Sequence, residues 1–221
     1  MLPDLRQFVE AVVLAVAALL PIVNPLGGAP IYLAKTVGLT SEQHAELAKR
    51  VARNCALLLL ASLLLGTYVL DFFDLSIPIV QVAGGLVVCS IAWSLLHEPD
   101  NPPALQDESR RVVSTEDLRR RAFYPLTMPL TVGPGSISVA IALGANESQT
   151  VRGEFVIGLA HVTAVAIVAI TIFLSYRYAD RLLRRLGDSG TVVVTRLSAF
   201  ILLCIGVQIL WNGVSALLAG R

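Results

Sequence analysis

Charge is what this sequence has least of. Only 15% of its 221 residues are Asp, Glu, Lys or Arg, against about 25% in an average soluble domain. With 55% hydrophobic residues and a mean hydropathy of +0.72, the chain has too little polar surface to cover a water-facing exterior. Lipid is the natural solvent for the excess. The 17 basic and 16 acidic residues nearly cancel, leaving +1, so no basic surface dominates and a nucleic-acid partner is excluded. The three cysteines, Cys55, Cys89 and Cys204, fall in apolar runs with neither metal-ligand spacing nor a disulfide framework. There is no HExxH, GxSxG, P-loop or CxxC pattern, so no enzyme activity, metal or cofactor is implied. An ATP-driven mechanism would need a partner subunit.

What the sequence does have is long apolar runs. A spanning helix needs about 20 apolar residues for a bilayer core about 30 Å thick. Five runs come close to that or exceed it, at 11–34, 54–70, 75–96, 155–176 and 197–219, and a sixth at 122–146 is apolar but interrupted. The second is short, with Arg53 placed to snorkel at its end. The first is read as a span rather than a cleaved signal. Asp4 and Glu10 stand where a signal peptide is basic, and no small-residue cleavage pattern follows. The segment 98–121 has almost no apolar face and reads as a solvated linker between residues 1–97 and 122–221.

The basic residues sort by side. In a six-helix arrangement, Arg6, Arg152 and Arg221 fall on one side of the membrane and the remaining 14 of the 17 on the other. The positive-inside rule puts the richer side in the cytoplasm and both termini outside.

An internal repeat is the most informative feature. Residues 21–30, PIVNPLGGAP, and 125–134, PLTMPLTVGP, share Pro-x-x-x-Pro-Leu-x-x-x-Pro at an offset of 104. TSEQ at 40–43 echoes NESQ at 146–149, and Trp93 and Trp211 sit late in the third helix of each half. Three helices per half is an odd number, so the halves enter the membrane from opposite sides. The expected architecture is all-α, with six transmembrane helices as two inverted three-helix repeats, a plan found among secondary transporters.

Three prolines in ten residues cannot all sit in one regular helix, because each removes a backbone donor. Helices 1 and 4 are therefore expected to break near mid-membrane. New half-helices should start near Pro30 and near Pro134, since proline suits the first helical position. Unwound backbone at membrane depth is tolerated only inside protein or along a cavity. Free amides of Gly28 and Ala29, and of Gly135 and Ser136, would carry the positive ends of the half-helix dipoles and attract a carboxylate. Orphaned carbonyls would take an ammonium group, so a small zwitterion fits. The competing reading is a pair of packing kinks; two matched triple-proline breaks favour a substrate site.

Other polar residues in the spans have two readings each. His161 is the histidine inside an apolar run, a candidate for proton coupling or a neutral ring bonded to a carbonyl or to Thr163. Gln208 and Asn212 share one face of the sixth helix, lining the cavity or joining helices. Asn54 and Gln81 lie near helix ends and are read as structural. Ser136 is placed to contact substrate, and Ser138 to bond its own backbone. Gly84, Gly85, Ala160 and Ala164 are assigned to helix packing. Glycine and alanine stripes leave a homo-oligomer open.

NPLGGAP in the first helix, TVGPGSIS in the fourth, AGG at 83–85 and GVQILWNG at 206–213 resemble the MarC family of bacterial integral membrane proteins. The resemblance covers nearly the whole chain. It implies six transmembrane helices in the bacterial inner membrane and a fold relationship to LysE-type exporters. Members such as SnatA imply transport of small neutral amino acids, glycine and alanine among them, coupled to the proton gradient. Asn24, Pro25 and Gly27 match the first motif; Gly133, Pro134 and Gly135 match the second. Together with Gly28 and Ser136 they form the expected substrate site.

The leading expectation is thus a secondary transporter of small neutral amino acids of the glycine, alanine, serine and threonine type. The family's name, which records an association with multiple antibiotic resistance, keeps export of another solute or drug as an alternative. A large aromatic cavity is not foreshadowed by 6% aromatic residues. A non-transporting membrane scaffold or regulator is the alternative of a different class.

Overall fold

The computed structural model describes residues 2–36, 38–97, 120, 122–145 and 151–219. Every element among them is helical. In chain order they are α1 (Leu2–Val23), α2 (Pro25–Ala34), α3 (Ser41–Phe72), α4 (Ile77–His97), α5 (Ala122–Thr131), α6 (Pro134–Gly144), α7 (Val151–Arg177) and α8 (Ala179–Ala219). Five helical stretches are long and apolar enough to cross a membrane, or six if α5 and α6 count as one span bent by 70°. The expected linker at 98–121 lies outside the described residues except for Arg120, as does the NESQ echo at 146–149.

Two spans begin earlier than the apolar runs suggest. The second run was expected to start at 54, yet α3 is one helix from Ser41. Thr40 caps it: its hydroxyl accepts from the Gln43 amide, while the Gln43 side chain accepts from the Thr40 amide. That reciprocal pair satisfies two donors the helix start leaves open, so the polar stretch 41–53 stays helical. The sixth run was expected from 197, but α8 begins at Ala179 and is interrupted only at Gly187, which adopts φ 68°, ψ 178°.

The proline repeat resolves unequally. In the first copy the chain leaves helical geometry at a single residue, Asn24, with φ 44° and ψ 57°. Asparagine tolerates this left-handed conformation better than most residues. The residue before proline is also sterically pushed away from right-handed helix, and Pro25 then opens α2 as its first residue. The new half-helix therefore starts at Pro25 and not near Pro30, which lies inside α2. In the second copy the residue before each proline departs from helix: Tyr124 (φ −122°, ψ 125°), Met128 (φ −118°, ψ 126°) and Gly133 (φ −102°, ψ −178°). Here the half-helix does start at Pro134. Asn24 and Met128, the two residues before the middle proline, occupy equivalent places in the repeat.

Two threonine hydroxyls add side-chain bonds within α5. Thr127 donates to the Ala122 carbonyl at 2.6 Å and Thr131 to the Leu126 carbonyl at 2.7 Å, each five residues back.

Packing runs between the two halves. The α1 and α2 helices lie against α7 and α8, the α5 and α6 helices lie against α3 and α4, and α3 meets α7 while α4 meets α8. The α4–α8 contact is the most extensive. Its closeness rests on Gly85, where a Cβ would come within 2.7–2.9 Å of the α8 backbone at Gly206 and Leu210. Ala160 and Ala164 are fully buried on α7.

Candidate functional site

Asn24 orders the first break. Its side-chain oxygen accepts from the Gly27 amide at 3.2 Å, and its carbonyl accepts from the Gly28 amide at 3.0 Å. The expectation of a free Gly28 amide is thereby corrected. Because α2 starts at Pro25 rather than Pro30, Gly28 is already in its hydrogen-bonded first turn, and Ala29 lies further in. The second break differs. Gly133 offers no side-chain cap, and the first backbone bond back to it comes from Ile137 at 3.1 Å. Among the described residues the amides of Gly135 and Ser136 have no acceptor. Ser138 is turned away, donating to the Gly135 carbonyl at 2.8 Å.

The second break faces a cavity of about 40 Å³, room for one or two waters at about 30 Å³ each. Gly133, Gly135 and Ser136 line it, with Thr131 and Pro129 from α5 and Ile22 from α1. Asn24, Gly27 and Gly28 do not line it.

What joins the two breaks is a residue outside the expected set. Tyr176, fully buried at the end of α7, places its hydroxyl 2.7 Å from that of Thr131 in the second copy. The same hydroxyl lies against Gly28 in the first copy, 2.7 Å from where a Cβ would stand. Its ring stacks on Tyr32 of α2, centroids 4.5 Å apart and planes 14° from parallel. The Tyr32 hydroxyl in turn donates to the His44 carbonyl at 2.9 Å. Four elements, α2, α3, α5 and α7, are thus tied through two tyrosines. Tyr176 was legible only as a tyrosine closing an apolar run beside Arg177.

On the far side of Tyr176 is a larger, open pocket of about 460 Å³, within the range of small-molecule sites. Tyr176 and Thr36 form its inner end. His44, Arg177, Asp180 and Arg181 stand nearer its mouth.

A family model, that of the MarC family of integral membrane proteins, matches residues 9–218. The chain belongs to the MarC family. It is 29% identical over 210 residues to the inner membrane protein MarC of Escherichia coli K12, covering 93% of this chain and 94% of that one. The MarC proteins of Escherichia coli O1:K1 and SMS-3-5 are similar at 29% and 28%, with the same coverage. No solved structure matches the chain.

The other expected residues stand apart from the two breaks. His161 is buried on α7, fifteen residues or about 22 Å along the helix from Tyr176, and lines neither pocket. Thr163 bonds the Leu159 carbonyl instead of the His161 ring. Gln208 and Asn212 are exposed on the side of α8 away from α4, and the Gln208 amide donates to the Asn212 side-chain oxygen at 2.8 Å. They line no cavity described here and join no second helix.

Proposed function

We propose that this MarC-family protein is a secondary transporter of small neutral amino acids of the glycine, alanine, serine and threonine type. It works by alternating access in the bacterial inner membrane, with proton coupling and both termini outside. It performs no chemical step of its own.

One observation carries the reading. The Tyr176 hydroxyl touches both proline segments, at Gly28 and at Thr131; Tyr176 lines the pocket of about 460 Å³, and Thr131 lines the smaller cavity of about 40 Å³ at the second break. That arrangement suits a carrier: a wide pocket, a buried side chain at its inner end, and a smaller cavity at the break beyond it. The unbonded amides of Gly135 and Ser136 at the start of α6 suit a carboxylate there.

Two further features support the inverted-repeat mechanism. Exchanging α1 and α2 with α5 and α6, α3 with α7, and α4 with α8 reproduces the pattern of helix neighbours. The Escherichia coli relatives are named inner membrane proteins, in keeping with the assigned location. Those names specify no solute; the amino-acid class rests on the family resemblance in the sequence and on the unbonded amides of Gly135 and Ser136, which suit a carboxylate.

The test is uptake by the purified protein in liposomes, using labelled glycine, alanine, serine and threonine with and without a proton gradient. Saturable uptake lost in Asn24→Ala supports the assignment. Absence of uptake for all four, under either gradient direction, overturns it in favour of another solute or of a scaffold. Break residues that tolerate free exchange would favour the scaffold.

A further inference from the structure

The mouth of the open pocket carries an excess of positive charge that the transport reading leaves unused. It is built where α7 ends and α8 begins. Arg184 is ion-paired with Asp180, whereas Arg177 and Arg181 have no carboxylate partner among the described residues. Arg177 makes only a long 3.5 Å contact to the Ser41 carbonyl. Both guanidinium groups lie near the Tyr178 ring, at 6.0 and 5.5 Å from its centroid. Both residues line the pocket, and a guanidinium group offers the planar fork of donors that a phosphate accepts.

The position of this wall selects the kind of phosphate. The apolar span Phe155–Arg177 ends at it, so the guanidinium groups lie at the level where a span meets the headgroups. Tyr178 is 46% exposed there, in the place where aromatic belts form. The stretch 179–186 that follows has Arg181, Arg184 and Arg185 exposed and Leu182 and Leu183 half-buried, before the chain turns at Gly187. Such a segment lies along a bilayer surface and is drawn to anionic lipid. The pocket, at about 460 Å³, has room beyond one phosphate for the rest of a headgroup.

We propose that Arg177 and Arg181 form a binding site for the phosphate of an anionic phospholipid headgroup, seated in the mouth of the open pocket. A bound lipid there would stand across the approach to Tyr176. The site is defined by binding alone, so it stands or falls independently of transport.

The experiment is native mass spectrometry of the full chain, purified in neutral detergent and titrated with dioleoylphosphatidylglycerol or dioleoylphosphatidylcholine. Phosphatidylglycerol is expected to be retained in preference to phosphatidylcholine. Arg177→Gln and Arg181→Gln should each weaken its retention about fivefold, the scale of one basic residue near an anionic surface. Arg6→Gln, at the exposed start of α1, should leave it unchanged. Arg181 is on the exposed side of its helix, so that variant remains informative if Arg177→Gln misfolds. Equal retention of the two lipids overturns the proposal, as does a loss in Arg6→Gln matching that in Arg181→Gln. Displacement of the lipid by glycerol phosphate or inorganic phosphate at equal concentration assigns the site to a soluble phosphate and overturns the lipid source.

Discussion

The hydroxyls of Tyr176 and Thr131 lie 2.7 Å apart and fully buried, and they connect the end of α7 to the broken segment α5. A buried hydrogen bond of this kind contributes about 1 kcal/mol net, and leaving one partner unsatisfied costs about 1–3 kcal/mol. Tyr176→Phe and Thr131→Val should therefore each lower the thermal midpoint by several degrees. The double variant should fall short of the sum by about 1 kcal/mol, because each single variant already loses the bond between the two hydroxyls. A fully additive cycle would mean that the two hydroxyls do not interact.

Gly28 is expected to be intolerant of a side chain for a local reason. A Cβ there would come 2.7 Å from the Tyr176 hydroxyl, which is pinned by Thr131 and by stacking on Tyr32. Gly28→Ala should destabilise by about 1–3 kcal/mol, the cost of overpacking. Tyr176→Phe should partly rescue it, since loss of the oxygen opens that space. Thermal denaturation of the two singles and the double checks this; no rescue would place the obstruction elsewhere.

Asn24 combines a left-handed backbone with a side-chain cap, and substitutions separate the two. Asn24→Gly keeps the conformation and loses the cap, at a cost of a few tenths of a kcal/mol. Asn24→Ala loses the cap and strains the backbone as well, about 1–3 kcal/mol for the strain. The expected order of melting temperature is wild type, then Gly, then Ala. Ala equalling Gly would show that the positive φ carries no cost.

Gln208 and Asn212 face away from the helix core and satisfy one another. Either Gln208→Leu or Asn212→Leu leaves an amide without its partner on an apolar surface, and should destabilise by about 1 kcal/mol. The double Leu variant should be at least as stable as the wild type, since no unpaired polar group remains. A double variant worse than either single would mean that the pair has a further partner.

His161 provides the pH prediction. If it carries the coupling proton, His161→Gln should abolish stimulation of amino-acid uptake by an inward proton gradient while leaving exchange at equal pH intact. Unchanged pH-driven uptake in that variant removes His161 from the coupling step.

Much of the helical plan was legible because apolar run length is a direct consequence of bilayer thickness. That the two proline segments would depart from regular helix was legible, because proline cannot donate. Which proline would begin α2 was not. Pro25 and Pro30 both suit a first helical position, and what decided between them was the capacity of Asn24 for a left-handed turn and a cap. The start of α3 was missed for a similar reason: the Thr40–Gln43 cap extends a helix through polar sequence that hydropathy discounts. Tyr176 was missed because its significance is tertiary. No spacing in the sequence relates it to Gly28 or to Thr131, 45 residues away along the chain.

The two proline triplets bend the chain unequally. The first deforms at one residue and leaves α1 and α2 close enough in direction to count as a single span of 31 residues, whereas the second deforms at three and turns by 70°. Bending is thus concentrated at one residue in the first copy and spread along a segment in the second, so a substitution at Asn24 alone can alter the first bend, whereas no single substitution can straighten the second.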